Sequence, residues 1–322
     1  MRSSISCKLL GLSLAMLALS PLAKAGFAPS QKMGDPPIVG RWDITINKSG
    51  RQVPSWLEVV HSGTNTLVGR FVGEGGSARP ISKVNFNDGN MSFSIPHQWE
   101  AGDKDLLIQA TLIGSDSLSG TLTSSDGQTY NWTAVRAPLL KRDKAPVWGT
   151  PIKLFNGKDL KGWHTEGEKE NQWQAVNGIL KSPHSGENIM TDKTFKDFKL
   201  HIEFRLPAGS NSGVYLRGRY EVQIEDNYGM EPAVDYISAV YGFLIPNQNA
   251  AKPAGEWQTY DITLVGRLVT VIFNGKEVIC KQNIPGITGG ALNSRESEPG
   301  PILLQGDHGP IEYRNIIITP AK

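Results

Sequence analysis

Hydrophobic and polar residues alternate in short stretches along most of the chain, and turns rich in glycine and asparagine separate these stretches. Trp42–Ile46 alternates in this way, and Asn87–Asn90 is a strong hairpin signal between two further alternating stretches. Because successive side chains of a strand point to opposite faces, a period of two predicts β-strands. The second half shows no amphipathic helix of useful length, so we expect an all-β protein.

The strand pattern divides the chain into two domains. Roughly eight short strands over 38–137 suit a small closed barrel resembling lipocalin-like β-domains, because closure leaves no strand edge exposed. Residues 138–150 are charged, contain prolines and do not alternate, which is typical of an interdomain linker. Alternation resumes over 151–322, where we expect a jelly-roll sandwich of two sheets.

The amino terminus has the features of a secretory signal peptide. A basic start precedes the apolar stretch from Leu9 to Leu22, and Ala23–Ala25 has the small-residue pattern of a cleavage site. We predict a signal peptide over 1–25, a flexible leader over 26–37, and export to the periplasm or the medium. No stretch reaches the roughly 20 apolar residues of a membrane helix, so no membrane anchor is expected.

Charge and cysteine content narrow the range of partners. The formal net charge of +2 falls to −1 without the signal peptide, which holds three basic residues and no acidic one. A nucleic-acid partner needs a concentrated positive field and is therefore not expected. Cys280 is the single cysteine of the mature chain, so no internal disulfide is expected. No two histidines have the spacing of metal ligands, so no metal is predicted. The alternative is a calcium site to which Asp226 and Asp307 contribute oxygen ligands.

Two stretches, 199–206 and 214–225, alternate strictly and predict one polar sheet face. Their apolar residues fall on one side. The polar residues on the other side are Glu203, Arg205, Tyr215, Arg217, Glu221 and Gln223. Such converging guanidinium, carboxylate, amide and phenol groups can bind a polyhydroxylated ligand through paired donors and acceptors. A salt-bridged solvent face is the alternative.

A set of motifs runs through the second half in a characteristic order. They are Leu154–Trp163, Trp173–Leu180, Phe198–Leu206, Asn211–Gly218, Tyr220–Ile224, Lys252–Trp257, Phe273–Gly275, Leu304–Gly309 and Glu312–Ile316. Together they resemble the 3-keto-disaccharide hydrolase family over nearly all of 151–322. The resemblance implies a concanavalin-like jelly roll that acts on glycosides whose sugar ring is oxidised at C3. Glu225 and Gln258 differ from the residues usual in the family at these positions and could alter the substrate specificity.

The implied chemistry begins at the carbon next to the ketone. A C3 ketone acidifies the C2 proton, so a base can remove it, the C1 substituent leaves, and added water completes a net hydrolysis. One-step hydrolysis and stepwise elimination with hydration remain alternatives. The chain has no dinucleotide-binding fingerprint. We therefore expect no cofactor, and we expect a separate sugar 3-oxidoreductase to supply the 3-keto-sugar substrate.

The resemblance and the polar face together give the candidate site residues. The catalytic candidates are Glu221, Arg217, Glu203 and His308. Glu221 is the first choice of base, Arg217 would stabilise the enolate because guanidinium keeps its charge, and His308 is an acid or base. The substrate-binding candidates are Arg205, Tyr215, Gln223, Lys252, Trp257 and Asp307. A non-catalytic, lectin-like module is the alternative function, since the jelly roll also hosts lectins.

Four tryptophans of the first domain could form a sugar-stacking surface: Trp42, Trp56, Trp99 and Trp132. Burial in the barrel core is the favoured interpretation, because tryptophans in small barrels usually pack inside. The asparagine-containing segment Asn211–Gly213 similarly favours a turn before a strand. We expect the first domain to serve stability, display or partner contact rather than catalysis.

Overall fold

The computed structural model describes residues 34–167 and 170–322, and the regular secondary structure in these two ranges consists of β-strands. No helix that could cross a membrane occurs in these two ranges. The predicted all-β class, with a barrel followed by two packed sheets, is confirmed. The predicted signal peptide over 1–25 and most of the leader over 26–37 lie outside the described residues.

The first eight strands form a closed antiparallel barrel. They are β1 (Gly40–Lys48), β2 (Arg51–Ser62), β3 (Thr66–Val72), β4 (Arg79–Asn87), β5 (Asn90–Ile95), β6 (Leu106–Ile113), β7 (Ser117–Thr123) and β8 (Thr129–Arg136). Each strand pairs with the next, and β1 pairs with β8 to close the barrel. Asp88 and Gly89 have positive φ angles of 48° and 78°. This conformation suits the tight β4–β5 hairpin that the sequence predicts.

The remaining strands build two sheets. They are β9 (Ile152–Lys153), β10 (Trp163–Thr165), β11 (Gln174–Val176), β12 (Ile179–Ser182), β13 (Ile189–Thr191), β14 (Phe198–Arg205), β15 (Asn211–Leu216), β16 (Tyr220–Glu225), β17 (Gln258–Val265), β18 (Leu268–Phe273), β19 (Lys276–Asn283), β20 (Leu303–Leu304) and β21 (Ile311–Pro320). A five-stranded sheet has the order β10-β13-β20-β15-β16. An eight-stranded sheet has the order β11-β12-β21-β14-β17-β18-β19, with β9 added beside β21.

The alternating apolar residues of these strands form the sandwich core. Val214 and Val222 from the five-stranded sheet belong to the same buried cluster as Phe204, Tyr260 and Phe273 from the eight-stranded sheet. The Phe204 and Tyr260 rings lie 4.8 Å apart between centroids, and those of Tyr260 and Phe273 lie 4.9 Å apart. Because the inner positions are apolar, the alternating polar residues of β15 and β16 must point outward.

The barrel packs directly against the sandwich. Trp56 and Val72 of the barrel belong to the buried cluster of the sandwich, and the Trp56 ring meets Phe243 edge-on at 5.2 Å. Gly286 lies against the Trp56 indole so closely that a Cβ there would overlap the indole nitrogen. The barrel is thereby fixed next to the outer face of β15 and β16.

Candidate active site

The β15–β16 hairpin carries the polar groups that form the floor of the site. Its register places Tyr215 opposite Glu221, Gly213 opposite Gln223, and Asn211 opposite Glu225. The alternation predicted for these residues is therefore confirmed. The interpretation of Asn211–Gly213 as a turn is wrong, because all three residues belong to β15.

A cleft of about 390 Å³ opens over this floor. Its volume lies in the range of small-molecule binding sites. The sandwich contributes the side chains of Asn188, Asn211, Tyr215, Glu221, Gln223, Tyr241, Gln305, Asp307 and His308. Five sequence-predicted site residues thus meet in one place: Tyr215, Glu221, Gln223, Asp307 and His308.

Glu221 is the most perturbed acid of the cleft. Its side chain is buried, with 4% of the residue exposed. Burial raises its pKa to about 8, although the Tyr215 hydrogen bond and the charge of His308 both lower it. A carboxyl group that titrates near neutral pH can donate or accept a proton during catalysis.

The contacts of Tyr215 agree with a protonated Glu221. The Tyr215 hydroxyl lies 2.9 Å from Glu221 Oε2 and 3.0 Å from the carbonyl oxygen of Gly289. Its single proton can serve only one of these two acceptors well. When Glu221 is neutral, the carboxyl proton can go to the Tyr215 oxygen, and the phenol proton to Gly289. Burial also raises the pKa of Tyr215 well above 10, so the phenol keeps its proton.

His308 and Asp307 form the second ionisable group of the cleft. His308 Nδ1 lies 2.7 Å from Asp307 Oδ1, and about half of each side chain is exposed. This hydrogen bond raises the pKa of His308, with the charges of Asp307 and Glu221 acting in the same direction against burial. Since a carboxylate must accept, Nδ1 carries the proton and Nε2 is left as the basic nitrogen.

Two glycines leave the space that these side chains occupy. A Cβ at Gly213 would overlap the Glu221 carboxylate from the opposite strand. Gly290 has a φ of +73°, and a Cβ there would meet the Tyr215 hydroxyl. The position of Glu221 therefore depends on the absence of a side chain at Gly213.

The prediction that Glu203 and Arg205 share this face is wrong. Both lie in β14, which belongs to the eight-stranded sheet, whereas the cleft lies on the five-stranded sheet. Glu203 accepts a hydrogen bond from Arg314 Nε at 2.7 Å, and Arg205 Nε donates to Glu312 at 2.5 Å. These cross-strand ion pairs correspond to the salt-bridged alternative.

Lys252 and Trp257 lie with that second group rather than in the cleft. The guanidinium groups of Arg205 and Arg314 lie over the Trp257 ring, at 4.8 Å and 4.0 Å from its centroid. Lys252 Nζ donates to the backbone oxygen of Trp257 at 2.9 Å. They therefore do not share the cleft with Glu221, because the loop that carries them leads into β17 of the eight-stranded sheet.

Arg217 also lies away from the cleft. It sits in the tight β15–β16 turn with a φ of +54°, so the alternation of β15 does not extend to it. Its buried Nη2 donates to Tyr220 at 3.0 Å and to the carbonyl oxygen of Gly266 at 2.8 Å. It borders a different cavity, together with Arg142 and Asp197. The predicted position of Arg217 beside the other site residues is therefore wrong.

Comparisons with known proteins agree with the motif analysis. A family model described as a 3-keto-alpha-glucoside-1,2-lyase-like domain matches residues 150–319, more than half of the chain. The chain belongs to this family. The resemblance inferred from the motifs is thus confirmed, and the cleft floor lies inside the family domain.

Individual relatives cover different parts of the chain. A 3-keto-disaccharide hydrolase from Bacteroides thetaiotaomicron is 30% identical over 112 residues, 30% of this chain. The match spans 38% of that relative's length. A solved putative glycosyl hydrolase from Parabacteroides distasonis is 32% identical, with a TM-score of 0.46 over 55% of this chain and 92% of its own. A second putative glycosyl hydrolase from that organism is 26% identical, with a TM-score of 0.42 over 53% of this chain and 98% of its own.

Four polar residues that the sandwich contributes to the cleft were not among the predicted site residues: Asn188, Asn211, Tyr241 and Gln305. Gln305 lies in the family motif Leu304–Gly309, and its side-chain oxygen is buried without a hydrogen-bond partner. Tyr241 had no signal in the sequence. It reaches the site because its backbone nitrogen donates to the carbonyl oxygen of Glu221 at 3.1 Å. Long-range pairing of this kind cannot be read from local alternation.

The described residues hold no group of three or more His, Cys, Asp or Glu arranged to bind a metal ion. The cleft has hydroxyl, amide, carboxyl and imidazole groups on its lining, and no Arg or Lys among the lining residues that the structure describes. Its polar character therefore comes from Glu221, the Asp307–His308 pair and neutral donors.

Proposed function

We propose that this protein is an enzyme that cleaves 3-keto-glycosides, among them 3-keto-disaccharides, with net addition of water. Membership of the 3-keto-alpha-glucoside-1,2-lyase-like family supports the substrate class. The observation that carries the proposal is the pairing of a buried carboxyl group, Glu221, with the Asp307–His308 pair in one polar cleft.

His308 acts as the base in this proposal. Asp307 holds the proton on Nδ1, so Nε2 can remove the C2 proton of the keto sugar. The electron pair of the C2–H bond forms an enediolate with the C3 carbonyl, and the C1–oxygen bond then breaks. The proton on His308 is available for the later hydration step.

Glu221 acts as the acid that protonates the departing oxygen. Because its pKa is about 8, it holds a proton at neutral pH. This state favours Glu221 as the donor and His308 as the base, the reverse of the assignment suggested by the sequence alone. Water then adds at C1 and gives a proton to the Glu221 carboxylate, and the proton on His308 returns to C2. Both groups regain their starting states, and the sum is hydrolysis.

Neutral donors would stabilise the enolate oxygen. The Tyr241 hydroxyl and the amides of Asn211 and Gln305 line the cleft, where the sequence had suggested Arg217. In a site shielded from water, a preorganised neutral donor can stabilise developing charge by about 3 kcal/mol. The same groups can bind the sugar hydroxyls.

We further propose that the protein works on a sugar oxidised by a separate 3-oxidoreductase, without a cofactor of its own, after export. Export rests on the signal-peptide pattern over 1–25, and the need for an oxidoreductase rests on the chemistry of the keto substrate.

Incubation with a 3-keto-glucoside tests the proposal directly. We expect the full-length protein to release the free sugar and the C1 substituent, as followed by chromatography and mass spectrometry. Solvent deuterium should enter at C2. Tight binding of keto sugars without any turnover would contradict the proposal and favour the lectin-like module.

A further inference from the structure

One side of the cleft is built by the barrel, outside the residues matched by the family model. The four barrel residues that line the cleft are Glu74, Gly75, Gly76 and Trp99, here called the barrel wall. The favoured role in the barrel core is confirmed for Trp42 and Trp132, which are at most 2% exposed. It is wrong for Trp99, which is 51% exposed, and for Trp56, which is buried in the sandwich core instead.

The loop that carries Trp99 is held by a buried ion pair. Arg79, only 3% exposed, donates to Glu100 Oε1 at 2.7 Å and to the carbonyl oxygen of Pro96 at 3.2 Å. Glu100 also accepts a hydrogen bond from the backbone nitrogen of Gln98 at 3.0 Å. These bonds fix the backbone on both sides of Trp99, so its indole is preorganised.

The Glu74–Gly76 segment supports the indole and contacts the sandwich. Gly76 has a φ of +76°, and a Cβ there would lie 2.6 Å from the Trp99 indole nitrogen. Gly290 donates its backbone hydrogen to the Glu74 carbonyl oxygen at 2.9 Å. A Cβ at Gly289 would overlap the backbone oxygen of Gly76. Close packing therefore sets the distance between the barrel wall and the sandwich floor.

The barrel wall offers an aromatic surface rather than a third acid. Burial acts to raise the pKa of Glu74, but hydrogen bonds and charges from Lys48 and Arg51 lower it. Lys48 Nζ lies 2.7 Å from Glu74 Oε2, and Arg51 pairs with the other carboxylate oxygen. With this carboxylate already paired, the half-exposed indole of Trp99 is the group with free surface.

We propose that the barrel wall binds the leaving-group sugar of a disaccharide substrate, with the Trp99 indole packed against the apolar face of that ring. This inference rests on the proposed function. The sandwich floor supplies the reacting groups for the oxidised ring, and the cleft volume of about 390 Å³ suits a ligand of disaccharide size. The barrel wall thereby selects disaccharides over glucosides with a small aglycone.

Two substrates with the same oxidised ring test the proposal in the full-length protein: a 3-keto-disaccharide and methyl 3-keto-glucoside. We expect Trp99→Ala to lower kcat/KM about tenfold or more on the disaccharide, the scale of one lost aromatic contact. The loss on the methyl glucoside should stay within about twofold, since no second ring contacts Trp99. Trp99→Phe should keep most of the preference for the disaccharide. Trp148→Ala, a partly exposed tryptophan outside the cleft, is the matched control.

The outcomes separate the two proposals. Equal losses on both substrates, or no loss on the disaccharide, would overturn the barrel-wall role while leaving the enzyme intact. If the wild type turns over neither substrate, calorimetric titration with the keto-disaccharide shows whether the barrel wall binds it. Binding that is weakened by Trp99→Ala but not by Trp148→Ala then supports the barrel wall and overturns the enzyme. No binding by the wild type overturns both.

Discussion

The Tyr215 hydroxyl lies 2.9 Å from Glu221 Oε2, across a directly paired position of the β15–β16 hairpin. Both residues are buried, and no guanidinium or ammonium group lines the cleft beside them in the described chain. Hairpin register therefore provides the local partner of Glu221, and burial provides its raised pKa. Burial outweighs the Tyr215 hydrogen bond, which lowers the pKa, so Glu221 holds its proton at neutral pH.

The raised pKa of Glu221 predicts a stability difference that depends on pH. The unfolded chain releases this proton near the ordinary value of 4.5, whereas the folded protein retains it until about pH 8. Wild-type stability is therefore lost as pH rises between these values. Glu221→Gln keeps a neutral group in place. We expect the variant to gain on the order of 2–4 kcal/mol over the wild type between pH 4.5 and pH 8.

Urea unfolding of both proteins at several pH values measures this difference. Glu225→Gln is the comparison on the same strand. Burial also raises the pKa of Glu225, but this residue is only partly buried, so we expect a smaller pH-dependent gain. A constant difference between wild type and Glu221→Gln across the whole range would contradict a raised pKa.

The division of roles between Glu221 and His308 predicts a dependence on the leaving group. A nitrophenolate leaves without protonation, whereas a sugar alkoxide needs an acid. Glu221→Gln should lower kcat about 10²-fold or more on a 3-keto-disaccharide, and less than about tenfold on nitrophenyl 3-keto-glucoside. His308→Gln should lower kcat on both substrates and abolish exchange of the C2 hydrogen with solvent. Equal losses for Glu221→Gln on both substrates, with loss of C2 exchange, would instead identify Glu221 as the base.

Asp307 sets the protonation of His308, so its charge has a measurable effect. Asp307→Asn keeps the shape but removes the negative charge that raises the His308 pKa. We expect the pKa of His308, measured by NMR titration, to decrease. We expect kcat to fall about 10²-fold or more, because the proton is no longer held on Nδ1 and Nε2 is no longer kept as the basic nitrogen. The NMR signals of His201, on β14 of the eight-stranded sheet, serve as an internal reference. An unchanged His308 titration would show that the 2.7 Å contact does not form in solution.

The Glu221 carboxylate occupies space that is free only because residue 213 is a glycine. In Gly213→Ala the added methyl group would overlap that carboxylate, so the strand or Glu221 must shift. We expect a loss of about 1–3 kcal/mol of stability and a large loss of turnover. In the Glu221→Ala background the same change should cost much less stability, because the overlapping atoms are gone. Additive effects in this double-mutant cycle would rule out the overlap as the cause.

Glu203 provides a matched test of which carboxylate belongs to the site. Glu203→Gln alters the ion pair with Arg314 on the eight-stranded sheet, away from the cleft. We expect kcat/KM to remain within about twofold of wild type. Stability should change by about 1 kcal/mol, because the ion pair is only partly exposed. A loss as large as that of Glu221→Gln would place Glu203 in the catalytic machinery after all.

Local sequence was sufficient for the strands and for the inward and outward positions within the β15–β16 hairpin. A period of two follows from the geometry of a single strand, so alternation alone places Tyr215, Glu221 and Gln223 on one face. The family motifs also identified Asp307 and His308. The same periodicity also placed Glu203 and Arg205 on that face, because alternation within a strand does not show which sheet the strand joins.

Only the tertiary structure decided which strands became neighbours. β14 pairs with β17 and β21 in one sheet, and β15 pairs with β16 and β20 in the other, so a face that looked continuous in the sequence is divided between opposite sides of the sandwich. Contacts between residues distant in the chain also brought Trp99 to the cleft. The sequence determined the polar hairpin and its chemistry, whereas sheet assignment and barrel docking, which depend on long-range burial, decided the composition of the site.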